Sequence, residues 1–140
     1  MTLIVVDASA VAAWVLPSQS SGSANALLQE ARQHRFIAPH TFLIEVRSLL
    51  LAAERRGRWS PGHTASALSQ LEDLDIGIVR MDAADELSQV MDSARTSGLT
   101  IYDACYLRLA ETDGATLASR DKAMLSAAAR KVIPVLDLNP

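Results

Sequence analysis

The sequence predicts an α/β fold in which helices flank a central, mainly parallel β-sheet. Two observations support this prediction. Short apolar runs alternate with longer segments of helical periodicity along the whole chain, as in proteins built from strand–helix–strand units. The first run, Leu-Ile-Val-Val at residues 3–6, contains no polar side chain, which is typical of a strand covered on both faces. No repeat or linker divides the 140 residues, so we expect a single domain over residues 1–140.

Local signals place the elements in order. The strands are expected at residues 3–6, 36–39, 76–81, 115–118 and 133–136. The helices are expected at residues 8–16, 24–33, 41–56, 61–74, 83–97, 100–111 and 122–130. Pro17 stops the first helix and Gly57 the third. Ser60, Asp82 and Asp121 stand at N-cap positions before the helices that follow them.

Composition limits the class of protein. Apolar residues make up 49% of the chain and charged residues 21%, which is enough for a buried core. No apolar run approaches the roughly 18 residues of a membrane span, and the opening MTLIVVDASA lacks the basic region of a secretory signal. The single cysteine excludes an internal disulfide and a cysteine zinc cage. We therefore expect a cytoplasmic protein.

The net charge of −3 does not exclude a nucleic-acid ligand. Residues 1–60 carry a net charge of +2, whereas residues 61–140 carry −5, so the charge is unevenly distributed. Acidic residues that surround divalent cations would reduce the negative field that a nucleic acid meets.

Two aspartates follow predicted strands. Asp7 closes the first strand, and Asp121 comes just after the fourth. Ligands of open parallel sheets bind beyond the carboxyl ends of the strands, so both side chains are expected at that edge. Each aspartate also precedes a helix, and taken alone either one is explained equally well as an N-cap.

Glu45 and Asp103 add two more acids. Glu45 is the one polar residue on the face of the third helix formed by residues 42, 45, 46, 49 and 53. Burying an unpaired carboxylate costs on the order of several kcal/mol, so we expect a metal or a cation beside it; a position from which it reaches water or an arginine is the alternative. Thr100 and Asp103 match a capping box, yet a first-turn aspartate could equally hold a cation at the same edge.

Four converging carboxylates predict a metal site. Their charges repel and raise one another's pKa unless a cation neutralises them. Oxygen ligands suit Mg²⁺ or Mn²⁺, and such a site activates water and screens the charge that develops on a phosphoryl group. The residues by themselves therefore predict metal-dependent phosphoryl transfer.

Four segments resemble the acidic motifs of a known family. They are VVDASA at 5–10, FLIEVRSLL at 42–50, TIYDACYLRLA at 100–110 and LASRDKAML at 117–125. Together, in this order and at these separations, they resemble the motifs of the PIN-domain nucleases. Length and motif order resemble the VapC-type toxins of bacterial toxin–antitoxin pairs, and the resemblance covers nearly the whole chain.

The resemblance implies a PIN-like fold and a function. It implies that Asp7, Glu45, Asp103 and Asp121 are the catalytic residues, that they bind Mg²⁺ or Mn²⁺, foremost through the three aspartates, and that they position the attacking water. It further implies endonucleolytic cleavage of RNA, a homodimer, and a VapB-type antitoxin whose C-terminal segment occupies the active-site groove. No Gly-rich phosphate loop is present, so we expect no organic cofactor.

Three serines belong to the same motifs. Ser48 stands where family members often carry Asn, Ser119 stands where the fourth motif commonly has Thr, and Ser9 follows the first aspartate as is usual in the family. We expect all three to supply supporting polar contacts, although a capping role also explains Ser9.

A basic cluster closes the third helix. Arg55, Arg56 and Arg58 adjoin Trp59, and they could bind an RNA backbone while Trp59 stacks on a base or lies at a protein interface. The alternative is a solvated helix end whose positive charges favour the negative end of the helix dipole.

Two other functions compete with the nuclease. A receiver domain needs a second acid at the end of the first strand, and a phosphatase needs an aspartate where Ser9 stands, so both fit poorly. A catalytically silent PIN-fold module that acts only by binding a protein partner stays open, because intact acids do not prove turnover.

Overall fold

Five parallel strands form the centre of the structure, a computed structural model that describes residues 1–140. The strands are β1 Thr2–Val6, β2 His34–Pro39, β3 Gly77–Val79, β4 Thr116–Ser119 and β5 Val135–Asp137. They lie in the order β3-β2-β1-β4-β5, and each of the four pairings is parallel. The predicted α/β class with a parallel sheet is confirmed.

Seven α-helices flank the sheet. They are α1 Ala8–Val15, α2 Gly22–Gln29, α3 Phe42–Arg55, α4 Pro61–Asp73, α5 Ala84–Ser97, α6 Ile101–Asp113 and α7 Lys122–Arg130. Short 3₁₀ turns follow α1 and α2. Gly57 and Gly98 adopt φ values of +79° and +72° just after α3 and α5, a left-handed conformation that glycine reaches without the steric penalty of a Cβ atom.

The topology brings two strand ends together at the centre of the sheet. β1 pairs with β2 on one side and with β4 on the other. The chain proceeds from β1 outward to β3 and then crosses to β4, so the strand order changes direction beside β1. Because all strands are parallel, their carboxyl ends share one edge, here called the carboxyl edge. Ligand sites of such sheets lie at this switch in strand order.

One cluster of 35 buried apolar residues, from Ile4 to Leu138, forms the core. α6 packs against β1 and β2 and is buried on most sides at residues 104–107 and 109–110, as expected for a helix that is apolar nearly all round. α1 packs along α3. These contacts fix how the first turns of α1, α3 and α6 approach the carboxyl edge. None of the helices has the length and apolar character that crossing a bilayer requires.

The second helix and the second strand differ from the prediction. The helix was expected at 24–33, whereas α2 begins at Gly22, because the Oγ of Ser21 accepts a hydrogen bond from the Ala24 amide. α2 ends at Gln29, and residues 31–33 form a 3₁₀ turn. β2 then starts early, since His34 and Arg35 join the ladder with β1.

The expected N-cap at Asp82 is wrong. Ala83 occupies the N-cap of α5 without a side-chain hydrogen bond. The Asp82 carboxylate instead accepts from Arg80, whose Nη2 lies 2.5 Å away, so this local ion pair replaces the cap. β3 is shorter than the strand expected at 76–81, because only residues 77–79 pair with β2. β5 is shifted relative to 133–136, because residues 135–137 are the ones that pair with β4.

Candidate active site

Asp7 lies at the centre of the carboxyl edge. It follows β1, caps α1 and is only 4% exposed. Oδ1 accepts hydrogen bonds from Ser9 Oγ at 2.7 Å and from the Ala10 amide at 3.1 Å, and Oδ2 accepts from Ser119 Oγ at 2.5 Å. Burial raises the pKa of Asp7 more strongly than these hydrogen bonds lower it. The capping role is thus real, and it leaves a buried carboxyl group at the strand end.

Two serine hydroxyls join the end of β1 to the end of β4. Ser119 is fully buried, and its Oγ also accepts from the Asp121 amide at 2.9 Å. Ser9 Oγ accepts from the Arg120 amide at 2.8 Å and lies 3.3 Å from Ser119 Oγ. Each hydroxyl has one proton, and both protons go to Asp7, so the serines hold Asp7 in one orientation.

Asp121 caps α7 from the same corner. Its Oδ1 accepts from the Met124 amide at 3.1 Å, and the residue is half-buried. The cap uses one carboxylate oxygen and leaves the other without a hydrogen bond from the protein. Capping and ligand binding are therefore compatible functions of this one side chain.

Glu45 reaches the edge from the first turn of α3. The residue is half-buried, and its Oε1 is buried without a hydrogen-bond partner. Burial raises its pKa, the hydroxyls of Thr41 and Tyr106 lower it, and the charges of Asp103 and Asp7 raise it further. The apolar face predicted for α3 is present, because Phe42 and Val46 on either side of Glu45 are buried.

Thr41 and Tyr106 were not predicted as site residues. Both hydroxyls are buried and lie close enough to Glu45 to affect its pKa, yet neither has a partner within hydrogen-bond distance. Burial raises the pKa of Tyr106 well above its usual value, so the hydroxyl keeps its proton and can act only as a donor to a carboxylate. A buried tyrosine one turn beyond a motif aspartate is the signal that could have identified it.

Asp103 stands in the first turn of α6. Its amide donates to Thr100 Oγ1 at 3.1 Å. The expected capping box is only half formed, because the Asp103 carboxylate makes no hydrogen bond back to the Thr100 amide. Burial and the charge of Asp121 raise the pKa of Asp103. The carboxylate is therefore free to act at the carboxyl edge.

The four acids form one electrostatic group. The charge of Asp121 raises the pKa of both Asp7 and Asp103. The charges of Asp103 and Asp7 raise the pKa of Glu45. Four electrostatic pairs result, and each acid belongs to two of them. The structure brings together the four carboxylates that the sequence placed in four separate segments.

The donor set fits a hard divalent cation in an open arrangement. No three of the acids converge tightly enough to enclose an ion by themselves. Magnesium, however, keeps several waters and takes only one or two carboxylates directly, so a closed cage is not required. The unpartnered Glu45 oxygen and the raised pKa values are what a nearby cation would relieve.

The other predicted contacts lie apart from this group. Ser48 is exposed and its side chain makes no hydrogen bond, so the structure does not bring it into the network of Ser9 and Ser119. Arg55, Arg56 and Arg58 lie at the far end of α3 and are exposed. The position of Ser48 in its motif therefore did not reveal that, unlike Ser9 and Ser119, it makes no contact with Asp7.

Comparisons with known proteins identify the family. A family model for the PIN domain matches residues 4–131. The ribonuclease VapC3 of Pyrobaculum aerophilum is 29% identical over 119 residues, which cover 85% of this chain and 89% of that relative.

Two solved structures show the same fold. VapBC2 from Rickettsia felis, bound to a DNA fragment from their promoter, is similar with a TM-score of 0.68 and 12% identity, covering 99% of this chain and 100% of that chain. Mycobacterium tuberculosis VapC20, a sarcin–ricin loop cleaving toxin, is similar with a TM-score of 0.67 and 18% identity, covering 89% and 94%. The family model spans most of the sequence and its motifs meet at one edge of the sheet, so the chain belongs to the PIN domain family.

Proposed function

We propose that this protein is a Mg²⁺- or Mn²⁺-dependent endoribonuclease that hydrolyses RNA phosphodiester bonds as the toxin of a toxin–antitoxin pair. The observation that carries the proposal is the group of four acids at the carboxyl edge, in which burial and neighbouring carboxylates raise the pKa of Asp7, Glu45 and Asp103, and one Glu45 oxygen is buried without a partner. Membership of the PIN domain family and the likeness to a ribonuclease support RNA as the substrate class.

The residues divide the chemistry among them. The carboxylates of Asp7, Asp103 and Asp121 would hold the cation, which when bound screens the charge that develops on the phosphoryl oxygens. Ser9 and Ser119 fix the Asp7 carboxylate by donating to its two oxygens, in the manner of outer-shell partners of metal ligands.

Glu45 has a separate role. Its carboxylate accepts no hydrogen bond from the protein, and its Oε1 is buried. The Glu45 carboxylate accepts a hydrogen bond from the attacking water and orients that water towards the phosphodiester, as a general base must. The Tyr106 hydroxyl, which stays protonated, lies close enough to lower the pKa of Glu45 and so favours the ionised carboxylate.

A protein partner and a homodimer belong to the proposal. α3 exposes Leu43, Ile44 and Leu51, and Leu43 also lines an apolar cavity of about 280 Å³ between α3 and α4. Grouped exposed apolar side chains are typical of protein–protein contact surfaces. The likeness to the VapBC2 structure supports a VapB-type antitoxin as one partner. RNA as target is consistent with a cytoplasmic location.

A catalytically silent PIN-fold binding module is the second candidate. One observation favours it, because no three of the acids converge tightly on a common point. This candidate predicts that no RNA is cleaved with any divalent ion, whereas binding of a protein partner is retained.

RNA cleavage by the purified protein tests the proposal. Total RNA is incubated with Mg²⁺, Mn²⁺ or EDTA, and new 5′ ends are mapped. We expect new ends with either ion and none in EDTA, and we expect Glu45→Gln to slow cleavage by about 100-fold or more.

Asp113→Asn on α6 is the control, because Asp113 is exposed at the end of this helix opposite to Asp103. It should cleave at the wild-type rate. Full activity of Glu45→Gln, or equal cleavage in EDTA, would refute the proposed chemistry. Absence of cleavage under all conditions would favour the silent module.

A further inference from the structure

A basic and aromatic cavity lies at the far ends of the two helices that begin at the catalytic acids. It has a volume of about 500 Å³, and its lining includes Pro17, Ala53, Arg56, Arg58 and Trp59. We call it the Arg–Trp cavity. Its size falls in the range of small-ligand sites, and none of the residues that line it is acidic.

The two arginines in this cavity carry free positive charge. Neither Arg56 nor Arg58 is part of an ion pair. The adjacent acid, Glu54, forms no ion pair with them; its Oε2 accepts a hydrogen bond from Thr64 Oγ1 at 2.7 Å. Arg55, the third arginine of the cluster, does not line the cavity. On a chain of net charge −3, two unpaired guanidinium groups in one concave surface favour an anionic ligand.

The indole of Trp59 is held rigidly beside these charges. Its Nε1 donates to Thr64 Oγ1 at 3.1 Å, and its ring packs on His63 with a centroid distance of 4.8 Å. His63 in turn belongs to the capping box that starts α4 with Ser60. A fixed aromatic ring loses little conformational entropy when a flat ligand stacks on it. A base on the indole and phosphates on the arginines would satisfy both features.

The cavity has a defined position relative to the acids. Asp7 caps the start of α1 and Leu16, another lining residue, caps its end; Glu45 lies in the first turn of α3 and Arg56 caps its end. At 1.5 Å per residue, about 14 Å separate Asp7 from Leu16 along α1, and about 17 Å separate Glu45 from Arg56 along α3. Because α1 and α3 pack side by side, the acids and the cavity lie at opposite ends of one helix pair.

We propose that the Arg–Trp cavity binds a nucleotide of single-stranded RNA, a few nucleotides away from the phosphodiester at the acids. The base stacks on Trp59, and Arg56 and Arg58 contact the flanking phosphates. Single strands are favoured because a base must be unpaired to reach the indole. This inference rests on the proposed ribonuclease function and adds a substrate-binding subsite to it.

Fluorescence of Trp59 tests binding without any cleavage. The chain has two tryptophans, so Trp14→Phe leaves Trp59 as the reporter; if that variant does not fold, the difference between wild type and Trp59→Phe replaces it. The probe is a mixed-sequence single-stranded RNA in EDTA. We expect quenching, about tenfold weaker binding for Arg56→Ala/Arg58→Ala, and a salt slope that is lower by about 1.4.

Arg130→Ala is the matched control, because Arg130 is likewise exposed near the end of a helix and free of ion pairs. It should bind like wild type. Absence of quenching, or an equal loss with Arg130→Ala, would overturn the proposal. Quenching by a polyglutamate peptide but not by RNA would also overturn it, and would assign the cavity to an acidic protein segment.

A cleavage assay separates this inference from the proposed function. If both hold, Arg56→Ala/Arg58→Ala raises KM about tenfold and changes kcat less than about twofold. RNA cleavage that is unaffected by the double substitution would refute RNA binding at the cavity and would leave the proposed ribonuclease activity supported. RNA binding at Trp59 without cleavage would support the cavity and refute the ribonuclease.

Discussion

Carboxyl groups in two regions of the molecule have pKa values shifted in opposite directions. At the carboxyl edge, burial and neighbouring acids raise the pKa of Asp7, Glu45 and Asp103. On the surface, the Arg80 guanidinium lowers the pKa of Asp82, and the Asn139 amides lower that of Asp137. The anion is thus disfavoured at the edge and favoured on the surface.

The comparison shows which acids the fold retains at a cost to its stability. A surface acid with a cationic or amide partner needs no further explanation. Buried acids that repel one another destabilise the folded protein unless something else compensates, and such groups concentrate at functional sites. The edge acids are therefore expected to respond to a cation, whereas the surface acids are not.

The largest expected effect is on catalysis, and α6 offers a matched pair of aspartates. Asp103 lies in the first turn at the edge, and Asp113 is exposed at the other end of the helix. We expect Asp103→Asn to lower the rate of RNA cleavage by about 100-fold or more and Asp113→Asn to leave it unchanged, as measured in single-turnover assays. Equal rates for the two variants would break the distinction between the regions.

The next effect is on stability and separates the motif serines. Ser119→Ala removes the donor to Asp7 Oδ2 and the acceptor of the Asp121 amide, so we expect a loss of about 1–3 kcal/mol in the free energy of unfolding. Ser48→Ala should change nothing measurable, since Ser48 is exposed. Urea denaturation compares the two. A similar loss for both would show that Ser119 does not support the site in the way described.

A smaller effect is expected at Tyr106. Its buried hydroxyl makes no hydrogen bond, so Tyr106→Phe should not destabilise the protein. The hydroxyl is close enough to lower the pKa of Glu45, so we expect its loss to lower the cleavage rate about tenfold. Tyr102→Phe is the control, because Tyr102 is 61% exposed on the same helix. Unchanged cleavage by Tyr106→Phe would remove this residue from the site.

Much of the fold and of the acid cluster followed from local sequence. Apolar runs predicted five parallel strands, and all five are present; the central β1 and β4 are largely buried, whereas the edge strand β5 is exposed. Glu45 was informative because its helix face is otherwise apolar. This pattern is visible in the sequence without knowing which residues pack against the helix. Asp7 and Asp121 were placed correctly at the carboxyl edge because a parallel topology puts all strand ends on one side.

The remaining features depend on packing between distant segments. The closeness of Tyr106 to Glu45 requires α6 to lie against the sheet beside α3, and the pattern of α6 alone marks Tyr106 as core. Asp82 does not cap α5, because its carboxylate binds Arg80, two residues earlier in the chain. Which arginines line the Arg–Trp cavity depends on how the chain turns after α3, and the cluster in the sequence does not show that.

The pH dependence of stability should differ in sign between the two regions. A raised folded-state pKa stabilises the fold below the unfolded value, which is 4.5 for Glu45, and this contribution is lost as the pH rises through the folded value. Asp82 contributes above its unfolded value of 3.8 and loses that contribution as the pH falls. Without divalent cations, the free energy of unfolding should therefore fall less for Glu45→Gln than for wild type as the pH rises above 4.5, as measured by urea denaturation. Asp82→Asn should leave that loss unchanged.

The central claim is that the edge acids form a cation site and destabilise the fold when no cation is bound. Melting temperatures of wild type and Glu45→Gln, each in EDTA and in Mn²⁺, test this claim most directly. In EDTA we expect the variant to melt about 2–4 °C above wild type, because a neutral side chain removes the repulsion. Mn²⁺ should raise the melting temperature of wild type and raise that of the variant less. A variant that melts below wild type in EDTA, or that gains as much from Mn²⁺, would contradict this account.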